Sequence, residues 1–176
     1  MSRFENKLGA TYTFHNRFNN TFNGTIISGD PLLVKAENGE TYPAYISCTD
    51  SWNHKYYTMH VEIGGELFTS EHLPGSVNIW VITYHFELSD YTTRTVHEHK
   101  DYSLYYFTED SMVRDYNIMV KNYELIAGSR HYGHKIDYTE REHPYSLGPR
   151  IMEYKDNNNC NKEQYIKITR YMDYSK

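Results

Sequence analysis

The feature that most limits the fold of this 176-residue chain is the spacing of turn signals between residues 23 and 107. Short segments rich in β-branched and aromatic residues are separated by dipeptides such as Asn38-Gly39, Gly64-Gly65 and Pro74-Gly75. Segments of this length between turn residues are typical of antiparallel strands, and Asn38-Gly39 predicts a hairpin. The predicted strands are Gly24–Ser28, Leu32–Ala36, Tyr42–Cys48, Lys55–Ile63, Ser76–Leu88, Tyr91–His97 and Ser103–Phe107.

Two segments have helical spacing instead. Apolar and aromatic residues recur at steps of three and four near the N-terminus, at Phe4, Leu8, Tyr12, His15, Phe18 and Phe22. This spacing predicts a helical arm over residues 1–22. The segment from Met112 to Tyr123 predicts a second, amphipathic helix near residues 110–126, with Asp110 or Ser111 as its N-cap and Gly128 at its end.

These predicted elements define a fold class. We expect a mainly β or α+β protein in which residues 23–176 form a single antiparallel β-sandwich domain with one packed amphipathic helix. The helical arm of residues 1–22 would precede this domain and serve in assembly.

Composition and charge exclude several classes of protein. The net charge of −5, with basic residues scattered along the chain, argues against nucleic acid as the main partner. The mean hydropathy of −0.78 and the lack of a long apolar run exclude a membrane-spanning helix, and we expect no secretory signal in the first residues. Cys48 and Cys160 are too few for a disulfide framework and fit a reducing compartment.

One histidine pair could carry chemistry. His97 and His99 lie two residues apart in a predicted strand, so both imidazoles could reach one metal ion. A third ligand would come from His60, His85, His131 or His134. The alternative interpretation is a solvated polar strand end beside Lys100 and Asp101. We expect no catalytic residues and no metal, and a small metal-dependent enzyme centred on His97 and His99 remains a less favoured hypothesis.

Tyrosine is unusually abundant, with 19 residues, and aromatic residues make up 16% of the chain. The tyrosine ring offers a large, rigid, amphipathic contact surface at low entropic cost, so it is enriched where proteins meet. Some of these rings must replace Phe and Leu in the core, but their number predicts copies that bury much of their surface against one another. The candidate contact residues are Tyr56, Tyr57, Tyr105, Tyr106, Tyr132, Tyr138 and Tyr145.

The same residues predict sensitivity to alkali. Tyrosine and lysine have reference pKa values near 10, so above that pH the phenols gain negative charge while the lysines lose positive charge. Because the chain already carries −5, the repulsion would separate close-packed copies. The seven tyrosines are therefore also candidate alkaline-trigger groups.

Aromatic side chains can also stack on sugar rings. An aromatic-rich β-sandwich that binds carbohydrate is thus an alternative function, and it predicts a monomer that stays dissolved when concentrated at neutral pH.

Short segments of the chain carry a family resemblance. The run Asn19–Gly24 has the form NN-x-x-NG that precedes a first strand, and Leu33–Asn38 and Tyr45–Thr49 follow with hairpin spacing. Tyr84–Leu88, followed by Asp90-Tyr91, has the form of a central strand. In order and spacing these segments, together with a Met112–Ile126 helix and a Tyr/His-rich tail in comparable places, resemble the polyhedrins of cypoviruses over about half of the chain. The chain is shorter than is typical of that family.

The resemblance implies a structural protein that forms the crystalline matrix of viral occlusion bodies in the cytoplasm of the infected host cell. Trimers of β-sandwiches would assemble into a lattice that encloses virions, contacts their capsids and dissolves in alkaline gut fluid. The N-terminal arm, with Phe4, Leu8 and Tyr12 as docking side chains, would join neighbouring trimers. Some relatives hold nucleotides between subunits, but no residue here can be assigned to such a site, so we expect no cofactor.

Overall fold

The structure is a computed structural model of the chain. It describes residues 4–90, 95–127, 145–146, 150–155 and 161–175. These residues are mostly antiparallel β with one helix, which confirms the predicted mainly β class. The strands are β1 (Thr11–His15), β2 (Thr21–Gly29), β3 (Leu32–Ala36), β4 (Thr41–Ser51), β5 (His54–Ile63), β6 (Glu66–Ser70), β7 (Ile79–Asp90), β8 (Val96–Tyr106), β9 (Tyr145–Ser146), β10 (Arg150–Lys155) and β11 (Asn161–Asp173). The helix α1 spans Glu109–Ala127.

Strands β1 to β6 form a closed barrel in which each strand pairs with the next along the chain. The ring is completed by β1 and β6, where Phe14 pairs with Ser70 and His15 pairs with Thr69. The predicted two-layer sandwich is therefore replaced, in this part of the chain, by a barrel. The difference depends on a pairing between distant strands that local sequence patterns do not encode.

Alternation of side chains explains the barrel core. Phe14, Ile26, Val34 and Met59 are almost completely buried, and their strand neighbours are polar or more exposed. Gly24 is required by this packing, since a Cβ atom there would lie 2.4 Å from a methyl group of Val34 and 2.8 Å from the ring of Phe14. The barrel interior is thus filled by apolar side chains, and its outer surface carries the polar side chains described below.

The predicted N-terminal helix is wrong, because Thr11–His15 is a barrel strand and β2 begins at Thr21. The sequence over 11–16 alternates, with Tyr12 and Phe14 buried and the β-branched Thr11 and Thr13 exposed. This period of two favours a strand, and pairing with two neighbours outweighs the helical spacing of the wider segment.

The segment before β1 is held on the barrel unit rather than extended away from it. The side chain of Asn6 donates to the backbone carbonyls of Asn78 at 2.7 Å and Phe107 at 2.9 Å, and it accepts from the amide of Asn78 at 2.7 Å. The side chain of Asn78 in turn donates to the carbonyl of Phe4 at 2.7 Å. These hydrogen bonds stabilise residues 4–8 on their own subunit.

The described residues divide into two compact units. The first contains the barrel, residues 105–111 and residues 173–175, and the second contains residues 81–104 together with the described part of residues 112–172. In the second sheet the strand order is β10-β11-β7-β8, and β9 also pairs with β11. Two long strands, β7 and β8, are therefore neighbours in this sheet.

The helix α1 confirms the predicted helix near 110–126. Its N-cap is Thr108 rather than Asp110 or Ser111, because the hydroxyl of Thr108 accepts from the amide of Ser111 at 3.3 Å. Met112, Tyr116 and Val120 are its buried residues, at the predicted helical spacing. Gly128, the predicted end signal, lies outside the described residues. Within the part of the chain that the structure describes, no helix has the length and apolar character needed to cross a bilayer.

Candidate functional site

The tyrosines predicted as contacts differ widely in exposure. Tyr57 is fully buried, and its hydroxyl donates to a carboxylate oxygen of Asp173 at 2.5 Å. Its ring meets Tyr105 edge-on, with centroids 5.6 Å apart. Its backbone amide donates to the hydroxyl of Ser175 at 2.9 Å. Tyr57 is therefore a core residue that links β5 to the end of the chain, and its assignment as a contact between copies is corrected.

Three of the other candidates are partly exposed. Tyr56, Tyr105 and Tyr106 are half-buried, and the ring of Tyr56 stacks on His72 with centroids 4.6 Å apart. Tyr145 lies on β9, where the structure describes only its backbone position. Tyr132 and Tyr138 lie outside the described residues.

The three residues predicted as a docking arm are separated by the structure. Tyr12 is buried on the inner side of β1, and burial raises the pKa of its phenol, with a smaller contribution from the charge of Glu71. Phe4 is half-buried in the segment held by Asn6. Only Leu8, which is 56% exposed, presents an apolar side chain to solvent. These three side chains thus do not share one exposed face, and docking on a neighbouring subunit stays a prediction.

The outer face of β4, β5 and β6 carries a cluster of hydroxyl and imidazole groups. The Nε2 atom of His60 lies 2.6 Å from the hydroxyl of Ser47 and 3.2 Å from that of Thr58, and its Nδ1 atom lies 3.0 Å from the hydroxyl of Thr69. Tyr45 stacks on the same imidazole, with centroids 4.9 Å apart. Burial lowers the pKa of His60, so the ring is neutral at neutral pH.

This cluster lies in an open groove of about 450 Å³ that also includes His15, Glu71 and His72. A serine hydroxyl beside a neutral imidazole is the first part of a nucleophile–base pair. The third group here is the uncharged hydroxyl of Thr69, which offers no negative charge to stabilise an imidazolium. The arrangement is therefore better suited to hydrogen bonding than to nucleophilic catalysis. Sequence analysis missed it, although alternating polar residues on two predicted strands were a usable signal.

A second histidine cluster lies on β7 and β8. The Nδ1 atom of His85 lies 2.5 Å from one oxygen of Asp101, and its Nε2 atom lies 3.1 Å from Glu87. The other oxygen of Asp101 contacts Nε2 of His99. The hydrogen bond to Asp101 is the main cause that raises the pKa of His85, and the same bond lowers the pKa of Asp101.

This cluster answers part of the histidine prediction. Of the four histidines predicted as a third ligand, His85 lies next to His99, with ring centroids 5.5 Å apart. Asp101, which the alternative interpretation placed beside a solvated strand end, lies between the two imidazoles. The side chain of His97 is not described, and His131 and His134 lie outside the described residues. His60 belongs to the separate cluster on the barrel.

Cys48 is a half-buried thiol on β4. Burial raises the pKa of the thiol, and the charge of Asp50 raises it further, so the thiol stays protonated at neutral pH. A protonated thiol is a weak nucleophile, so this environment does not favour reactivity at Cys48. Cys160 lies outside the described residues.

The barrel also exposes several large apolar side chains. Trp52 is 93% exposed at the tip of the β4–β5 hairpin, where Trp52 and Asn53 both have left-handed backbone angles, with φ of 49° and 66°. Phe18 and Leu67 are also exposed, near the turns that precede β2 and β6. Tryptophan is among the residues that most often anchor protein contacts.

The chain was compared with known proteins at the level of families, curated sequences and solved structures. No family model, no curated protein and no solved structure matches it.

Proposed function

We propose that this chain is a self-assembling structural protein, and that the solid formed by its copies is the matrix of a viral occlusion body. The resemblance to cypovirus polyhedrins motivates the second part of the proposal. In that setting the matrix would form in the cytoplasm of an infected cell and enclose virions. The observation that carries the first part is the exposure of Trp52 at the tip of the β4–β5 hairpin.

Two costs attach to Trp52. Its indole leaves a large apolar surface in water, which is unfavourable by about 25 cal/mol per Å² of that surface. Its left-handed backbone conformation is unfavourable by roughly 1–2 kcal/mol for any residue other than glycine. A contact that buries the indole would offset both costs, and this supports an interface at the hairpin tip.

A complementary surface lies at the other end of the same strands. The turn at Gly65 follows β5 at the end opposite to Trp52, and it borders a depression of about 530 Å³. Leu67 lines this depression with an apolar side chain. Arg17 also lines it, with its guanidinium 4.7 Å from the centre of the Phe18 ring and 3.6 Å from the carboxylate of Glu66, and a guanidinium packs favourably against aromatic rings. An indole from a second copy fits this chemistry.

The two ends of the barrel are different surfaces, so a contact between them is heterologous. A heterologous contact leaves a free tip and a free depression on each growing assembly, and it produces open arrays unless the rotation closes a ring. Extended growth is what an in-cell solid requires. This mode of assembly uses the barrel ends in place of the predicted N-terminal arm.

The test compares two substitutions at one hairpin tip. Trp52→Ser removes the indole, and we expect it to reduce assembly at least about tenfold, as expected for a hot-spot aromatic residue. Asn53→Gly keeps the left-handed turn and serves as the matched control. Sedimentation of concentrated protein at neutral pH measures assembly, and far-UV circular dichroism confirms folding. Equal assembly by both variants would contradict the role of Trp52.

The occlusion-body part is tested separately by expressing the full chain in insect cells. We expect refractile crystals in the cytoplasm by light microscopy. Dispersed, soluble protein would contradict this part of the proposal, while the Trp52 comparison would still decide whether smaller assemblies form.

One observation favours a second candidate function, carbohydrate binding. The groove around His60 presents hydroxyl and imidazole groups beside the exposed ring of Tyr45, and sugars are bound by such combinations of hydrogen bonds and aromatic stacking. Affinity electrophoresis in gels that contain soluble polysaccharides tests this function. Retardation that Tyr45→Ala abolishes would support it, and unretarded migration of a monomeric protein in every gel would exclude it for those sugars.

A further inference from the structure

The cluster on β7 and β8 brings three metal-binding residue types together. One ligand atom from each of His85, His99 and Asp101 lies within 4.8 Å of the other two. Each imidazole has a nitrogen in contact with a different oxygen of the Asp101 carboxylate, and the ring centroids of the two histidines are 5.5 Å apart. The carboxylate of Glu87 lies 3.1 Å from the other ring nitrogen of His85.

The strands hold these groups in place. His85 and Glu87 are two residues apart on β7, and His99 and Asp101 are two residues apart on β8, so each pair projects from one face of its strand. Because β7 and β8 are paired neighbours, the ligand atoms need only small side-chain rotations to converge on one ion. The extended backbone thus supplies most of the positioning.

The charge of the cluster favours a cation. With neutral imidazoles, the carboxylates of Asp101 and Glu87 give the cluster a charge of about −2. His85 is only partly exposed, while about half of each side chain of His99 and Asp101 faces solvent. A bound ion would therefore keep open coordination positions for water.

We infer that His85, His99 and Asp101 form a binding site for a divalent transition-metal ion such as Zn²⁺, with the Glu87 carboxylate beside it. Imidazole nitrogen favours zinc, copper, nickel and iron over calcium and magnesium, which prefer sites made of oxygen atoms alone. Two histidines and one carboxylate make a three-residue set with room for further ligands. The inference does not depend on the proposed assembly function.

Binding must displace protons. Zn²⁺ takes the unprotonated imidazole nitrogens, so an imidazole that carries a second proton releases it to solvent when the ion binds. The hydrogen bonds from the two rings to Asp101 are then replaced by bonds from the rings and the carboxylate to the ion. No oxidant, reductant or other reactant is needed.

The experiment is a Zn²⁺ titration of the metal-free full chain against a chromogenic chelator at about pH 7.5, above the reference pKa of histidine. We expect a site that takes one ion per chain. His99→Ala and Asp101→Asn should each weaken it at least about tenfold, since even residues behind the direct ligands contribute that much to metal affinity. His54→Ala, at an exposed histidine of the barrel, is the matched control and should leave the affinity unchanged.

A second measurement guards against weak surface binding. Co²⁺ in place of Zn²⁺ should give visible absorption bands that disappear in the double variant His85→Ala/His99→Ala, while circular dichroism shows that the variant is folded. Zinc binding of equal affinity in the double variant and the wild-type chain would overturn the inference. The inference would also be overturned if the wild-type chain competed with the chelator no better than the His54→Ala/His99→Ala variant.

Discussion

At the scale of single residues, burial decides which phenols can respond to alkali. Tyr12, Tyr57 and Tyr116 are buried, whereas Tyr45 and Tyr102 are 55% and 46% exposed. Burial raises the pKa of Tyr116, against the opposing charge of Arg170, whose guanidinium lies 4.4 Å from the centre of the ring. The folded state therefore keeps this phenol protonated at a pH where the unfolded chain ionises it.

The sign of the effect on stability follows from this difference. The stabilisation by Tyr116 is fully present below its unfolded pKa of 10.0 and is lost as the pH rises through the raised folded pKa. We expect the free energy of unfolding to fall less between about pH 8 and about pH 11 in Tyr116→Phe than in the wild-type chain. Urea denaturation at the two pH values measures the difference. Tyr102→Phe, which changes an exposed ring, is the control, and an equal fall in all three proteins would contradict the prediction.

The His85–Asp101 pair gives a prediction in the acidic range. Because Asp101 raises the pKa of His85, this contribution to stability is present below the usual histidine pKa of 6.5 and is lost as the pH rises through the raised value. At acidic pH the contribution ends when Asp101 becomes protonated. Because His85 lowers the pKa of Asp101 from 3.8, the stabilisation is present above pH 3.8 and is lost as the pH falls through the lowered value.

His85→Gln should therefore destabilise the metal-free chain more at about pH 5.5 than at about pH 9, and the difference should be small because solvent screens so exposed a pair. Urea denaturation in the presence of a chelator measures the difference. His54→Gln is the control, and a destabilisation independent of pH would show that the pair makes no charged contact in solution.

At the scale of elements, β1 is the strand that completes the barrel. It pairs with β2 over its whole length and with β6 at Phe14 and His15. Deleting residues 1–18 would remove the fully buried ring of Phe14 and leave the edges of β2 and β6 unpaired. Loss of such a ring alone costs about 3–5 kcal/mol, a large part of the stability of a domain.

We therefore expect the chain that lacks residues 1–18 to lose its cooperative unfolding transition, as measured by urea denaturation. Leu8→Ser, which changes an exposed residue of the same segment, is the control and should unfold like the wild-type chain. A truncated protein with a cooperative transition would show that the segment is dispensable, as an assembly arm would be.

The elements also show which parts of the fold were readable from sequence. The helix α1 and the β3–β4 hairpin were predicted because their signals are local, namely a helical period and Asn38-Gly39, where Gly39 has a φ of 86°. The strand β1 was missed because a helical spacing and a strand alternation overlap in one segment, and only the distant pairing with β6 decides between them. The candidate site was readable in part, since His85 and His99 were proposed partners. Asp101 and the His60 cluster were missed because cross-strand neighbours depend on register.

At the scale of the whole molecule, the proposed solid should be soluble in alkali. The net charge of −5 becomes far more negative once exposed phenols ionise and lysines lose their charge above about pH 10. We expect dissolution near this pH, and we expect 1 M salt to raise the pH required, because screening shortens the range of repulsion to about 3 Å. Turbidity at stepwise increasing pH measures both effects. Dissolution at the same pH with and without salt would contradict repulsion between copies as the cause. It would indicate unfolding instead, driven by ionisation of buried phenols such as that of Tyr116.

The closed ring of β1 to β6 has a consequence for how copies of this barrel can aggregate. Amyloid-like growth recruits exposed backbone amides and carbonyls at the margin of a sheet, and a continuous ring has no such margin. Barrels that remain folded can therefore join only through their side chains. Where copies meet through their barrels, such contacts can separate without opening the ring of strands.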